Sequence, residues 1–418
     1  MNPLIANQLA EAVDRNSESN RDTPADAHHD VSSARDEAPA TAPALRIMML
    51  VGELGIGGAE RQAVTLADAL QRQGHHLCVA TLADGPLRHD IEAAGLPLVV
   101  LQRPLNQSSA AVPALRRLLH RERPDVVYAF LDLQWLLALA ARGRKQSPCV
   151  VLGLRSSDYG LPVTGTRGRV VQWMTRHASG YADLLVANSQ QGLRDFSQHA
   201  RRVPPSFVMP NGINLSQFAA NVDARRTLRA AWSIPWHARV VGHVGRLHPV
   251  KDHERLLSAF AHLLSIDPDS YLVCVGDGTP ERFSALRVLA IRLGINDHVR
   301  FVGPAAHMPS AYSAFDALVL CSQREGFPNA VAESMACGVP AVVTDVGACA
   351  EIVGDLGEIV REAGAEALGS AIDRVLDRAS AELSAQCRAR VLSRYTIDEV
   401  AARTASLFVT LTSERAAA

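Results

Sequence analysis

The chain has 418 residues, 48% of them apolar, which is more than one ordinary hydrophobic core accommodates and implies two domains. Lysine and arginine number 42 against 43 acidic residues, and the resulting charge of −1 excludes a nucleic-acid binder that works by bulk positive charge. Seven cysteines, with no Cys-x-x-Cys pair and no short Cys/His spacing, exclude a zinc cage and suit reduced thiols better than a disulfide frame.

Residues 1–44 hold 3 basic and 8 acidic side chains and no apolar periodicity. Such a segment cannot bury enough surface to offset the entropy of ordering, so it reads as a disordered acidic arm. It lacks the basic start and apolar run of a secretory leader, and no stretch of the chain approaches the roughly 18 apolar residues of a spanning helix. The expectation is a cytoplasmic protein whose membrane contact, if any, is peripheral and on the inner face.

From Leu45 short apolar runs alternate with longer amphipathic segments: RIMMLV, a helix from about Ala59, HLCVATL, LPLVVL, a helix near Val112 to Arg121, DVVYAF, CVVLGL, DLLVAN and SFVMP. Strand and helix in regular alternation mean a parallel sheet covered on both faces. NGINLSQFAANVD interrupts the pattern and reads as a linker. The alternation then resumes with RVVGHVGR, a helix from about Asp252, YLVCVGD, a helix from about Pro280, VRFVG, DALVLCS, a helix after Pro328 and PAVVTD, before a helical tail from about Ala381. The predicted architecture is α/β: two doubly wound domains over residues 45–213 and 214–395, with a last helix at 396–418 returning to the first domain. Ligands of such sheets gather beyond the carboxyl ends of the strands, which here means the cleft between the domains.

Three stretches at those strand ends have side chains suited to chemistry. In VGELGIGGAERQ a strand runs through Gly57 and Gly58 into a helix, a turn that lets a ligand approach backbone N–H groups; the spacing is neither a dinucleotide fingerprint nor a P-loop, and an ordinary strand-to-helix turn explains it equally well. In VGRLHPVKD, Arg246 and Lys251 would clamp a diphosphate, one as a fork and the other as a point charge, unless both are merely solvated surface cations. In REGFPNAVAESMACGVP, Pro328 is placed to open a helix whose amides at Asn329, Ala330 and Val331 are free for an anion, with Gly326 and Phe327 in the turn before it. Carboxylates at Glu325 and Glu333 would repel phosphate, so hydroxyl groups are their natural partners; the plain alternative is a helix-start charge and a surface residue. Hydroxyls at both ends with a diphosphate between describe a nucleotide sugar.

The GGAE loop at Gly57 to Glu60, NGIN at the linker, VGRL followed by Lys-Asp, VGDG at 275–278, FVG at 301–303 and EGFPNAVAESMACGVPAVVTDVGA together resemble the retaining glycosyltransferases of family 4, which have the GT-B fold. The resemblance runs from about residue 46 to the tail and is most specific between 241 and 353. It implies a hexosyl- or N-acetylhexosaminyl-transferase that needs no metal or other cofactor. Glu333 would bind ribose hydroxyls, Glu325 the transferred sugar, and Arg246 and Lys251 the diphosphate; these last two and Glu325 would form the catalytic group. Gly326, Phe327 and Asn329, with Gly57, Gly58, Gly276 and Val302, would complete the donor site. The donor would be a UDP-sugar rather than GDP-mannose, and the acceptor a lipid-linked oligosaccharide in surface-polysaccharide assembly. A nucleotide-sugar 2-epimerase of similar two-domain fold is the alternative.

The sequence departs from the family where many members carry a histidine after the fourth strand; here Ala129 and Phe130 stand, and Arg155 and Asp158 in RSSD are the substitutes on the acceptor side. Residues 103–202 hold 15 basic and 6 acidic side chains, and LRRLLHRERP interleaves Leu115, Leu118 and Leu119 with arginines. That helix would either rest on an anionic membrane surface or pack on the sheet. Asp267 and Asp269 have a metal-binding spacing but fall at a strand start, away from the cleft, and the histidines, His243 among them, are expected at helix ends or on the surface.

Overall fold

The computed structural model describes residues 43–55, 57–101, 108–143, 148–155, 165–305, 307–362 and 364–417. The arm expected at the start of the chain and Asp158 lie outside these residues.

The first domain runs β1 (Arg46–Glu53), α1 (Gly58–Arg72), β2 (His76–Ala83), α2 (Arg88–Ala93), β3 (Leu98–Val100), α3 (Ser108–Glu122), β4 (Val126–Phe130), α4 (Asp132–Ala141), β5 (Cys149–Leu154), α5 (Thr166–Ala178), β6 (Leu184–Ala187), α6 (Gln190–His199) and β7 (Ser206–Val208). Its seven strands are parallel in the order β3-β2-β1-β4-β5-β6-β7. Successive residues of β1 feed opposite cores, as a sheet covered on both faces requires. Ile47, Met49 and Val51 pack beneath α1 and α2, while Met48 and Leu50 pack beneath α3 and α4.

The second domain runs α7 (Val222–Ala231), β8 (Val240–Val244), α8 (His253–Ile266), β9 (Tyr271–Val275), α9 (Pro280–Arg292), β10 (Val299–Gly303), α10 (Met308–Ser313), β11 (Ala317–Leu320), α11 (Asn329–Ala336), β12 (Ala341–Thr344), α12 (Cys349–Val353), β13 (Glu358–Val360), α13 (Ala365–Asp377) and α14 (Ala381–Leu392), and α15 (Ile397–Ala417) follows. Its six parallel strands follow the same logic, β10-β9-β8-β11-β12-β13. Each sheet therefore reverses direction beside its first strand, at β1/β4 and at β8/β11, and the open crevice at such a point is where ligands bind. This is the GT-B architecture.

The domains are joined twice. Ile213 donates to the Tyr395 carbonyl at 2.7 Å and accepts from the Ile397 amide at 3.1 Å, so the outgoing linker and the returning chain lie side by side. From there α15 crosses onto the first domain, where Phe408 and Leu411 join the core beneath α1. Helix α7, which lies in what the sequence reads as a linker and its continuation, is held by charge rather than by an apolar stripe. Buried Arg229 bonds to Asp316 at 2.7 Å and to the carbonyls of Ala314, Trp236 and Ala238.

Candidate active site

The donor-side residues converge. After β8 the chain turns through Gly245 and Arg246 to a short 3-10 turn at Pro249–Lys251, and Asp252, in a left-handed conformation, caps α8. After β11 it returns along the same edge, and Lys251 Nζ there meets Glu325 Oε1 directly, both side chains mostly buried. The cation and the carboxylate assigned to different parts of a ligand are thus ion-paired with each other. Arg246 is exposed and has no ion pair among the described residues. A Cβ at Gly276 would lie 2.0 Å from the Gly245 carbonyl, so glycine lets the loop after β9 close on the loop after β8.

Pro328 is the cap of α11 rather than its first residue, and Val331 N donates to the Pro328 carbonyl at 3.0 Å. The amide of Val331 is therefore already used, and those of Asn329 and Ala330 open the helix. Phe327 enters the donor-site assignment through its backbone amide, and its side chain has a separate, structural place. Its ring is buried in the core, edge-on to Tyr395 at 5.4 Å, because the turn must fill the space beneath α11. Glu333 faces inward, 7% exposed, and accepts from the Tyr312 hydroxyl at 2.7 Å. Burial pushes its carboxyl above the usual range, and the positive charge of Arg61 on α1 opposes that shift. Val302 also borders a hollow of about 480 Å³ beside Trp232 and Ser310, while Gly276 N donates to the carbonyl of the adjacent Gly303 at 2.9 Å.

The first domain forms the facing wall. Arg246 draws down the carboxyl of Glu60 on α1, although burial leaves that group raised overall. Arg155, at the end of β5, stacks over the Phe130 ring at 4.5 Å, bonds to the Tyr128 hydroxyl and donates to Asn211 Oδ1 at 3.0 Å. Asn211 Nδ2 donates to Asn329 Oδ1 at 2.8 Å, and Asn329 Nδ2 reaches the Gly58 carbonyl at 3.4 Å. This chain of bonds crosses the cleft and returns. A Cβ at Gly326 would lie 2.7 Å from Asn188 Oδ1 and 2.9 Å from the Arg155 carbonyl, so the absence of a side chain is what allows the walls to meet. Beside it, Gln191 Oε1 accepts from Gly347 N at 2.6 Å.

Sequence reasoning missed Arg61, Asn188, Gln191, Asn211 and Tyr312. The signal was position: Asn188 directly follows β6, and Asn211 comes shortly after β7, both at carboxyl ends. His243 is likewise not at a surface. It is fully buried on β8 with its ring 4.6 Å from that of buried His253, behind Gly245 and Lys251. Its Nδ1 donates to the Val319 carbonyl at 2.9 Å; its Nε2 and both nitrogens of His253 have no hydrogen-bond partner among the described residues. Burial lowers His243 to about 4 and His253 to about 2. Asp267 caps the end of α8 and bonds to Ser270, and among the described residues no group of three or more His, Cys, Asp or Glu could hold a metal ion.

Residues 56–217 match the model of Glycosyltransferase Family 4, and residues 224–392 match that of Glycosyl transferases group 1. Each of the two domains thus matches one glycosyltransferase model, the first that of family 4 and the second that of group 1. Among curated relatives, the D-inositol 3-phosphate glycosyltransferase of Corynebacterium efficiens is 33% identical over 40% of this chain and 41% of that protein. The chain thus spans about two fifths of the length of the first such relatives. The putative glycosyltransferase EpsF of Bacillus subtilis is 26% identical over 72% of this chain and 79% of its own length. Anabaena Alr3699/HepE in complex with UDP-glucose superposes with a TM-score of 0.74 at 25% identity, over 86% of this chain and 99% of that one. Sucrose-phosphate synthase from Thermosynechococcus elongatus shares the fold, with a TM-score of 0.75 at 22% identity over 90% and 100% of the two chains. Both family models and these curated relatives are named for glycosyl transfer, and the epimerase alternative is not favoured.

Proposed function

We propose that the chain transfers a sugar from a nucleoside-diphosphate donor to an acceptor hydroxyl with retention at the anomeric carbon and without a metal. The observation that carries this reading is the Lys251–Glu325 ion pair in the loops after β8 and β11, with Arg246 acting on Glu60 and Glu333 feeling Arg61, neighbouring residues at the start of α1 across the cleft. A diphosphate laid against the Asn329 and Ala330 amides would draw Lys251 away from Glu325, freeing that carboxylate to accept from sugar hydroxyls. Arg246 and Lys251 would then offset the charge that develops as the bond between the anomeric carbon and phosphate breaks. The acceptor oxygen bonds to that carbon from the face the diphosphate leaves, and its proton passes to the departing phosphate oxygen. Glu333 would hold the ribose.

A UDP-sugar is the donor this reading favours, since Anabaena Alr3699/HepE was solved with UDP-glucose. The acceptor is a lipid-linked oligosaccharide of surface-polysaccharide assembly, a reading that rests on the family resemblance. A thermal-shift panel of UDP-, GDP-, ADP- and dTDP-sugars, with and without magnesium, tests the donor, and Glu333→Gln tests its site. The expected result is a shift with a UDP-sugar that magnesium does not alter and that the variant loses while remaining folded. An unchanged binding isotherm in Glu333→Gln would remove the assignment. Product analysis distinguishes transfer, which releases nucleotide, from epimerisation of free donor.

A further inference from the structure

Helix α3, the basic helix the sequence offered for a membrane, turns Leu115, Leu118 and Leu119 into the core, at 1%, 4% and 8% exposure. Helix α5 does the reverse. Val170, Trp173, Met174 and His177 recur at the spacing of one helical face, and that face looks outward: Val170 is 48%, Trp173 60% and Met174 37% exposed. Tyr181, just beyond the helix, is 75% exposed. Four of the ten large exposed apolar side chains among the described residues thus fall within twelve positions, too concentrated for ordinary surface scatter. Trp173, Met174 and Tyr181 border an apolar groove of about 1160 Å³ whose other wall is Leu133, Leu136 and Leu139 of α4.

The surroundings are cationic. Helix α5 contains no acidic residue and carries Arg169 and Arg176; Arg201 and Arg202 are exposed beside it. Asp183, the next acid along the chain, is already bound by Arg142 at 2.8 Å and approached by Arg415 at 3.5 Å. We propose that this face of α4 and α5 docks the chain on an anionic lipid surface, with Trp173, Met174 and Tyr181 inserted at headgroup depth and the arginines on the phosphates. Tryptophan and tyrosine suit a boundary that is apolar on one side and wet on the other, and arginine stems bury carbon while keeping their charge at the phosphates. A second copy of the chain fits less well. A two-fold contact through this face would bring Arg169, Arg201 and Arg202 against their own counterparts.

The inference rests on the proposed lipid-linked acceptor for its purpose, but its test does not use transfer. The full chain is sedimented with vesicles of phosphatidylcholine and with vesicles of phosphatidylcholine and phosphatidylglycerol in equal parts. Wild type should bind the anionic vesicles and release them in high salt; Trp173→Glu with Tyr181→Glu should weaken binding about tenfold or more, and Arg201→Glu with Arg202→Glu by a similar factor. Should the glutamate variants misfold, brominated lipid should quench wild-type fluorescence, and Trp173→Phe should abolish that quenching while still binding. Equal binding by wild type and both double variants, absence of quenching, or a wild-type dimer that Trp173→Glu breaks would each overturn the proposal. Donor thermal shifts measured on the same variants should be unchanged. A wild type that binds vesicles but no nucleotide sugar would defeat the proposed function and leave this surface standing.

Discussion

The two walls of the cleft are built on different principles. The second domain meets the cleft with charge: Lys251 against Glu325, an exposed Arg246, and Glu333 buried beneath Tyr312. The first meets it mainly with neutral amides, Asn188, Gln191 and Asn211, organised around the stacked cation Arg155. On the proposed reading, charges that hold a diphosphate need fixed positions in a site that excludes water, and Lys251 and Glu325 do sit on short segments at the switch point of one sheet. Amides lose less when a cleft opens and water takes their place, which suits the wall that has to let go.

The largest test of this contrast is to remove a charge. Lys251→Ala should lower turnover by about 10²–10³ and leave the Glu325 carboxylate without this cation, so melting should fall as well. Lys251→Met with Glu325→Gln should recover stability but not turnover. If the single variant retains most of its activity, the charged wall is not where transfer is driven.

The next concerns what lies behind that wall. Because burial lowers His243 to about 4 and His253 further, both are neutral in the folded protein where an unfolded chain already binds protons. Their contribution is fully present above pH 6.5, the ordinary value, and is lost as pH falls through about 4. His243 alone accounts for about 3 kcal/mol by the acid end of that window. Denaturant titrations should show this decline in wild type and a flatter profile in His243→Asn with His253→Leu; equal slopes would place the acid sensitivity elsewhere.

On the amide wall the effects should be smaller. Asn329→Ala removes bonds to Asn211 and Gly58, at about 1 kcal/mol each, and should weaken donor binding several-fold by calorimetry. Asn211→Ala should do much the same, and the double variant little more than either, because the bonds form one chain. Additive losses would mean the two asparagines act separately. The smallest change is in the stability of Glu333→Gln. The native carboxyl is held above 4.5 by burial, so the wild-type fold is most favoured at low pH and loses that advantage as pH rises through the raised value. The variant should therefore melt no lower than wild type at neutral pH, even as its donor binding disappears.

This contrast also marks what was legible in the sequence. Arg246 with Lys251 and Glu325 with Glu333 are close neighbours along the chain, at a strand end and a helix start whose glycines and proline announce them. The alternation of strands likewise exposes both sheets, since buried parallel strands leave continuous apolar runs. The facing wall draws on positions from Gly58 to Asn211, and neutral amides at strand ends look like turn residues until the sheet brings them together. Helix α7 was hidden because its anchor, Arg229, reads as a surface charge until Asp316 and three carbonyls surround it. The ring of Phe327 was not legible for a different reason: a motif fixes the path of the backbone without saying which way a side chain turns.

The polypeptide passes between its halves twice, and the two passages are stitched together at Ile213 and Thr396, with Gly212 pressed so closely on Ile397 that an added methyl would lie 2.6 Å from it. A joint of that kind permits swing about a single axis and resists both sliding and swivelling. Arg61 and Glu333, carried on opposite sides of that joint, are close enough for the cation to oppose the upward shift of the carboxyl.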